Sequence, residues 1–257
     1  EWTSTPWHPL LACALFIVPG VPLINFVDDM LDNYIQVGIV RAVNTLLMVA
    51  AMAFGIAFAV KLCHIENFFP TISMVPHHQY WEYAIAAAIS AMGFSMIFNI
   101  QRRLLWVVAI GGIIAVCTRN FVNLGPSTDN IGLDMGLVIG SFSGAVLVSL
   151  IAIKAVHWFH VPNHVLTIPS VIPMIPGVLM YRMLFGIINI NVQSIDQVTP
   201  LMKAIESGVN SGLVIMCIAL GVAIPNIFGR RFIASSKNKR LAELLKERKA
   251  RGKFVEW

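Results

Sequence analysis

Seven apolar runs, each close to or beyond the roughly 20 residues needed to cross a bilayer's hydrocarbon core, limit what this chain can become. They lie at about 7–27, 34–60, 81–99, 104–122, 134–158, 165–188 and 203–228. A buried core helix accounts for one such run in a soluble domain, but not for a series. Only 12% of the residues are charged against 57% hydrophobic, and the mean hydropathy is +0.76, whereas a soluble domain is about a quarter charged. The expected fold is an all-α polytopic membrane protein with about seven transmembrane helices.

Charge orients the runs. Ten of the eighteen Lys and Arg follow residue 229, in GRRFIASSKNKRLAELLKERKARGKFVEW, and the positive-inside rule places such a tail in the cytoplasm. Counting backwards then puts Gln101-Arg102-Arg103 and Lys154 on the cytoplasmic side, with Arg41 near it. The segments 61–80, 123–133 and 189–202, longer and poor in Lys and Arg, fall outside. Trp7, Trp81, Trp106 and Trp158 sit at expected span ends, where amphipathic rings favour the interface. Leu241, Leu244 and Leu245 among the tail charges predict a helix, either solvated or lying on anionic lipid. Most of the net charge of +5 belongs to this tail, so no nucleic acid is expected as a partner. The N-terminus falls outside, and no Lys or Arg precedes Arg41 as a signal peptide would require. Earlier spans are therefore expected before residue 1.

The four cysteines, Cys13, Cys63, Cys117 and Cys217, show neither CxxC nor metal-ligand spacing, so no redox or zinc chemistry is indicated. His64, His77 and His78 share a loop, but nothing fixes a ligand geometry there. No cofactor or metal is expected. Paired catalytic carboxylates, a nucleophile motif and a phosphate-binding glycine loop are not seen, and the chain is not read as an enzyme.

The chain also repeats itself. AVNTLLMVAAMAFGIA (42–57) and GVNSGLVIMCIALGVA (208–223) align without a gap, matching Asn44 with Asn210 and Gly55 with Gly221. Each follows a proline-broken run ending in Pro-Gly-Val, at Pro19-Gly20-Val21 and at Pro176-Gly177-Val178. The second copy starts five runs after the first, at the sixth run rather than the first, so the two cross in opposite directions. That is an inverted repeat, the architecture in which secondary transporters bind substrate near the midplane where broken helices meet.

TIPSVIPMIPGVLMYRM (167–183) carries Pro169, Pro173 and Pro176. Each removes a backbone donor and frees a carbonyl one turn earlier, and such groups are tolerated in lipid only against protein or a wet cavity. Half-helix ends there offer oriented backbone dipoles to an anion or zwitterion. Arg182 either holds a substrate carboxylate through its planar fork, or snorkels to the outer interface or pairs with an acid such as Asp134 or Glu206. Asn44, Asn210, Asn99 and Asn189 can each donate and accept. Arg41 is expected to pair with Asp28, Asp29 or Asp32 of VDDMLD. Asp134 and Glu206 are candidates for carrying a coupling proton, with interfacial solvation as the alternative. GLVIGSFSGA (136–145) reads as a close helix-packing face.

PGVPLINFVDDMLDNYIQVGIVR, GFSMIFNIQRR and LTIPSVIPMIPGVLMYR resemble the threonine/serine exporter family, including its split two-subunit form associated with dicarboxylate (succinate) export. Residues from about 80 to 228 are similar to that family's C-terminal domain; the first block is similar to the end of its N-terminal domain. The resemblance implies ten spans in two five-span halves and ion-driven efflux of small amino acids. It rests on Phe98, Asn99, Arg102 and Arg103, on the Pro-rich segment, and on Tyr181 with Arg182.

The domains expected are an end of the first repeat (1–62), an extracytoplasmic loop (63–80), a second repeat (81–229) and a basic cytoplasmic tail (230–257). The expected protein is a plasma or inner membrane exporter of threonine or serine. Its substrate would be bound by Pro19, Gly20, Asn44, Pro173, Pro176, Gly177, Tyr181, Arg182 and Asn210. A succinate exporter and a non-transporting scaffold or partner subunit are the alternatives. The expected partners are lipid and the missing first-half spans or a second subunit; a homo-oligomer is left open.

Overall fold

The computed structural model describes residues 20–63, 79–126, 131–159, 161–188 and 198–250, with side chains described as far as residue 229. All regular elements among them are helical. They are α1 (Gly20–Leu31), α2 (Ile35–Leu62), α3 (Tyr80–Ile97), a 3-10 turn at Arg102–Leu104, α4 (Leu105–Asn123), α5 (Leu137–Phe159), α6 (Asn163–Val171), a 3-10 turn at Ile172–Met174, α7 (Gly177–Ile188) and α8 (Val198–Ala250).

Four stretches among these are long and apolar enough to cross a membrane: Ile35–Met52, Arg102–Asn123, Leu137–Val156 and Leu201–Gly229. The pair Asn163–Met174 and Gly177–Met183, bent by 54°, makes a fifth if it is counted as one broken span. The chain is thus a multi-pass helical membrane protein. The expected runs 7–27 and 81–99 are not in that set. The first lies mostly outside the described residues. The second is α3, whose first turn, Tyr80-Trp81-Glu82-Tyr83, is polar and interfacial in character. There the Gln79 backbone N–H donates to the Glu82 carboxylate at 3.2 Å, and the Trp81 indole donates to Gln79 Oε1 at 2.7 Å.

α5 is the centre of the packing, touching α4, α6 and α8. Its small residues explain this, as expected from GLVIGSFSGA. A methyl on Gly140 would lie 2.6 Å from the Arg119 carbonyl oxygen, and one on Gly144 would lie 2.6 Å from that of Ala115. On the α8 side, a methyl on Gly221 would meet Ala145 Cβ at 2.8 Å and the Phe142 carbonyl at 2.9 Å. Helices without a hydrophobic drive between them associate where backbones can approach in this way. The buried Ser149 hydroxyl seals the same seam by donating to the Val222 carbonyl at 2.9 Å.

α8 runs 53 residues without interruption, despite Pro225. At 1.5 Å per residue it is about 80 Å long, well over twice the hydrocarbon thickness. Its basic end must therefore project past the bilayer, and the helix expected around Leu241 to Leu245 is its continuation.

Candidate functional site

The broken span is assembled by its prolines. A residue before proline is pushed out of the helical region, and Ile175, before Pro176, is extended at φ −63, ψ 128. The helix must stop at Met174 and restart at Gly177. Leu166 to Val171 are all buried, as are Ile172, Met174, Pro176 and Gly177. Broken backbone therefore faces protein, as its unpaired carbonyls require. The Ser170 hydroxyl, 2.7 Å from the Leu166 carbonyl and 3.2 Å from that of Val108, ties α6 to α4.

The start of α1 lies against this break. Gly20 is buried, and a methyl placed on it would sit 2.8 Å from Ile175 Cδ1 and 3.4 Å from Ile172 Cγ1. The Gly of the first Pro-Gly-Val sequence step thus lies against the break that the second such step, Pro176-Gly177-Val178, makes between α6 and α7. The long helices that follow are crossed: α1 packs on α8, and α7 packs on α2.

Between these four helices lies a cavity of about 590 Å³. Ala42, Val43, Leu46 and Val49 line it from α2, and Gly208, Val209, Gly212 and Ile215 line it from α8. These are matched positions of the aligned repeat. Phe26 and Met183 also line it, each the sixth residue after its Pro-Gly glycine. The wall is apolar except for Ser211, whose buried hydroxyl has no hydrogen-bond partner among the described residues.

The sequence-predicted residues divide. Gly20, Pro176 and Gly177 meet at the break, Pro173 lies beside it, and Tyr181 is buried at 3% exposure one turn on. Arg182 is half-buried and engaged in an interaction. Asn44 and Asn210 do not line the cavity. Asn44 is exposed in a separate groove of about 470 Å³ with Pro22, Gln36 and Arg41, and Asn210 is exposed on α8. Asn99 sits in a turn with φ 54, a backbone role that suits asparagine. Asp134 and Glu206 are exposed. Pro19 and Asn189 lie outside the described residues.

The expected pairing of Arg41 is with Asp29, at 2.5 Å. It joins a polar group at one end of the bundle, where His164 Nε2 stands 3.6 Å from Asp28 and the Asn163 amide donates to Asn226 Oδ1. Asp32, at the α1–α2 turn, is half-buried and also engaged. Among the described residues no cluster of His, Cys, Asp or Glu could hold a metal ion.

Sequence reading passed over Arg119. It lies inside the apolar run of α4, only partly exposed, and its guanidinium reaches the carbonyl that the break frees: Nη1 donates to Met174 O at 3.4 Å. Nε and Nη2 donate to the side-chain oxygen of Asn120 at 3.3 Å each. The available signal was a lone arginine in IAVCTRNFVN, four residues short of the end of α4.

The described residues thus form a multi-pass helical bundle with one buried broken span, against which Gly20 packs. The family model described as Threonine/Serine exporter, ThrE, matches residues 83–228, and a second ThrE exporter model matches residues 2–63. The chain belongs to the threonine/serine exporter family. No solved structure matches it.

Proposed function

We propose that this protein is a secondary transporter that exports a small hydrophilic metabolite, threonine or serine, by alternating access around its two Pro-Gly breaks. The observation that carries this reading is the contact of Gly20 with Ile172 and Ile175, because the glycine of the first Pro-Gly-Val sequence step then lies against the break between α6 and α7. The crossed packing of α1 on α8 and of α7 on α2, and the repeat-matched walls of the cavity, support an inverted repeat. Inverted-repeat transporters move one copy against the other around such a site.

In this reading the tail from residue 230 is cytoplasmic in a plasma or inner membrane, by the positive-inside rule. α2 buries 17% of its span window, whereas its repeat counterpart in α8 buries 56%. Further first-half spans, on the same or a second polypeptide, would cover α2 and complete the transport unit. Its coupling carboxylate is sought among Asp28, Asp29, Asp32, Asp134 and Glu206.

The test is counterflow of labelled serine, threonine and succinate into liposomes holding the intact assembly with everything that co-purifies. Saturable serine or threonine exchange, competed by the other, is expected. Exchange of succinate alone would transfer the reading to dicarboxylates, and exchange of none would turn it towards a scaffold.

A further inference from the structure

We propose that Arg119 and Asn120, at the outer wall of the helix break, form the subsite that holds the carboxylate of the transported molecule. The inference rests on the transport reading above and names the chemistry that the site recognises. A guanidinium has five N–H donors in a rigid fork suited to a carboxylate. Its hydrogen-bond acceptors among the described residues are neutral, Met174 O and Asn120 Oδ1, at 3.3 to 3.4 Å. Charge-assisted bonds from arginine to a carboxylate close to roughly 2.7–2.9 Å. A carboxylate displacing these neutral oxygens would therefore gain both charge and shorter bonds.

The neighbouring donor points the same way. Asn120 is 4% exposed, and its buried Nδ2 has no hydrogen-bond partner among the described residues. An unsatisfied buried amide costs free energy unless something accepts from it. Arg119 and Asn120 thus present two kinds of donor and a surplus of positive charge beside one freed carbonyl. A carboxylate accepts from both, and the Met174 carbonyl is released or turned to a donor on the same molecule, such as an ammonium group. Position also favours a ligand over simple snorkelling. The Arg119 backbone carbonyl is pressed against Gly140 of α5, and the guanidinium turns to the break.

The subsite is moreover mounted on the moving part. Met174 O is free to accept because Pro176 forces Ile175 out of the helix. A change in the 54° bend alters what Arg119 can reach, so carboxylate binding and bending would be linked.

The experiment uses the intact assembly in nanodiscs, with R119K, R119Q and N120A. Binding of L-serine, succinate, serinamide and chloride is measured by calorimetry, alongside melting temperature and counterflow. Wild type should bind serine or succinate and not serinamide, which lacks the carboxylate. R119K keeps the charge but loses the fork, so its Kd and counterflow KM should rise about tenfold or more while its melting temperature is kept. N120A should weaken binding in the same direction, and with R119K it decides the matter if R119Q does not fold. The proposal is overturned if R119K and N120A bind as wild type does, if serinamide binds as tightly as serine, if wild type binds neither carboxylate, or if chloride competes as an equal, which would make this a halide site. Wild type that binds through Arg119 yet exchanges nothing overturns the transport reading alone. Exchange unchanged in R119K and N120A overturns the subsite alone.

Discussion

The aligned repeat matches two glycines that the bundle uses differently, and substituting each by alanine separates packing from propensity. At Gly221 a methyl would lie 2.8 Å from Ala145 Cβ, 2.9 Å from the Phe142 carbonyl and 3.2 Å from the Val146 nitrogen. These are not flexible side-chain ends, so α5 and α8 must part. The buried bond from Ser149 to the Val222 carbonyl, beside Gly221, resists that movement. Overpacking of this kind costs roughly 1–3 kcal/mol, while exchanging a helix-interior glycine for alanine returns up to about 1 kcal/mol. The net loss for G221A is then about 1 kcal/mol. At Gly55 nothing among the described residues lies within 4 Å of such a methyl, so only the gain of up to about 1 kcal/mol remains. For a chain of this size each kcal/mol shifts Tm by roughly 2–4 °C. Melting of the 257-residue chain in one detergent should place G221A a few degrees below wild type and G55A level with or above it; G221L should fail to assemble. Equal costs at both positions, or a G221A that melts above wild type, would refute the argument.

Three further outcomes follow from local geometry. Asn33 links α1 to α2 at φ 68, so N33G should be nearly neutral and N33V should cost about 1–2 kcal/mol in denaturant melts, since β-branched residues resist the left-handed region. S149A removes the donor to Val222 and should cost about 0.6 kcal/mol, the average for interhelical bonds in membranes, with no change in substrate KM. D134N and E206Q alter exposed carboxylates, so stability should move by less than about 0.5 kcal/mol. A lost pH dependence of counterflow in either variant would then belong to the charge itself, and unchanged dependence in both would remove them from coupling.

Much of the architecture was legible because lipid leaves few choices. Apolar length located α2, α4, α5 and the apolar part of α8 to within a few residues, and the prolines located the break. Glycine spacing in GLVIGSFSGA announced the α5 contacts. Legibility stopped where a property depends on what another helix presents. The repeat gave Gly55 and Gly221 the same standing, yet only one has a neighbour among the described residues. Asn44 and Asn210 matched in register, but each points away from the cavity that Val43 and Val209 share. Arg119 was missed for the same reason: an arginine near a span end reads as snorkelling until α6 is placed beside it and its freed carbonyl is seen. Arg182 stood out because it follows the prolines in sequence, whereas Arg119 meets them only in space.

The packing of Gly20 against the α6–α7 break constrains how both can move. If Gly20 bears directly on Ile175, the start of α1 and the α6–α7 break cannot shift independently of one another. A larger residue at position 20 should hold the pair in one state, and making room opposite should release it. G20L places a side chain where Ile175 Cδ1 is only 2.8 Å from a methyl and Ile172 Cγ1 is 3.4 Å away, an overpacking of roughly 1–3 kcal/mol. I175A removes that branch. The single variants should each slow counterflow, and G20L/I175A should recover much of the wild-type rate, with a coupling of about 0.5–3 kcal/mol as expected for residues in contact. Effects that simply add, with no recovery in the double variant, would mean that the two lie side by side without acting on one another, and concerted movement would have to be abandoned.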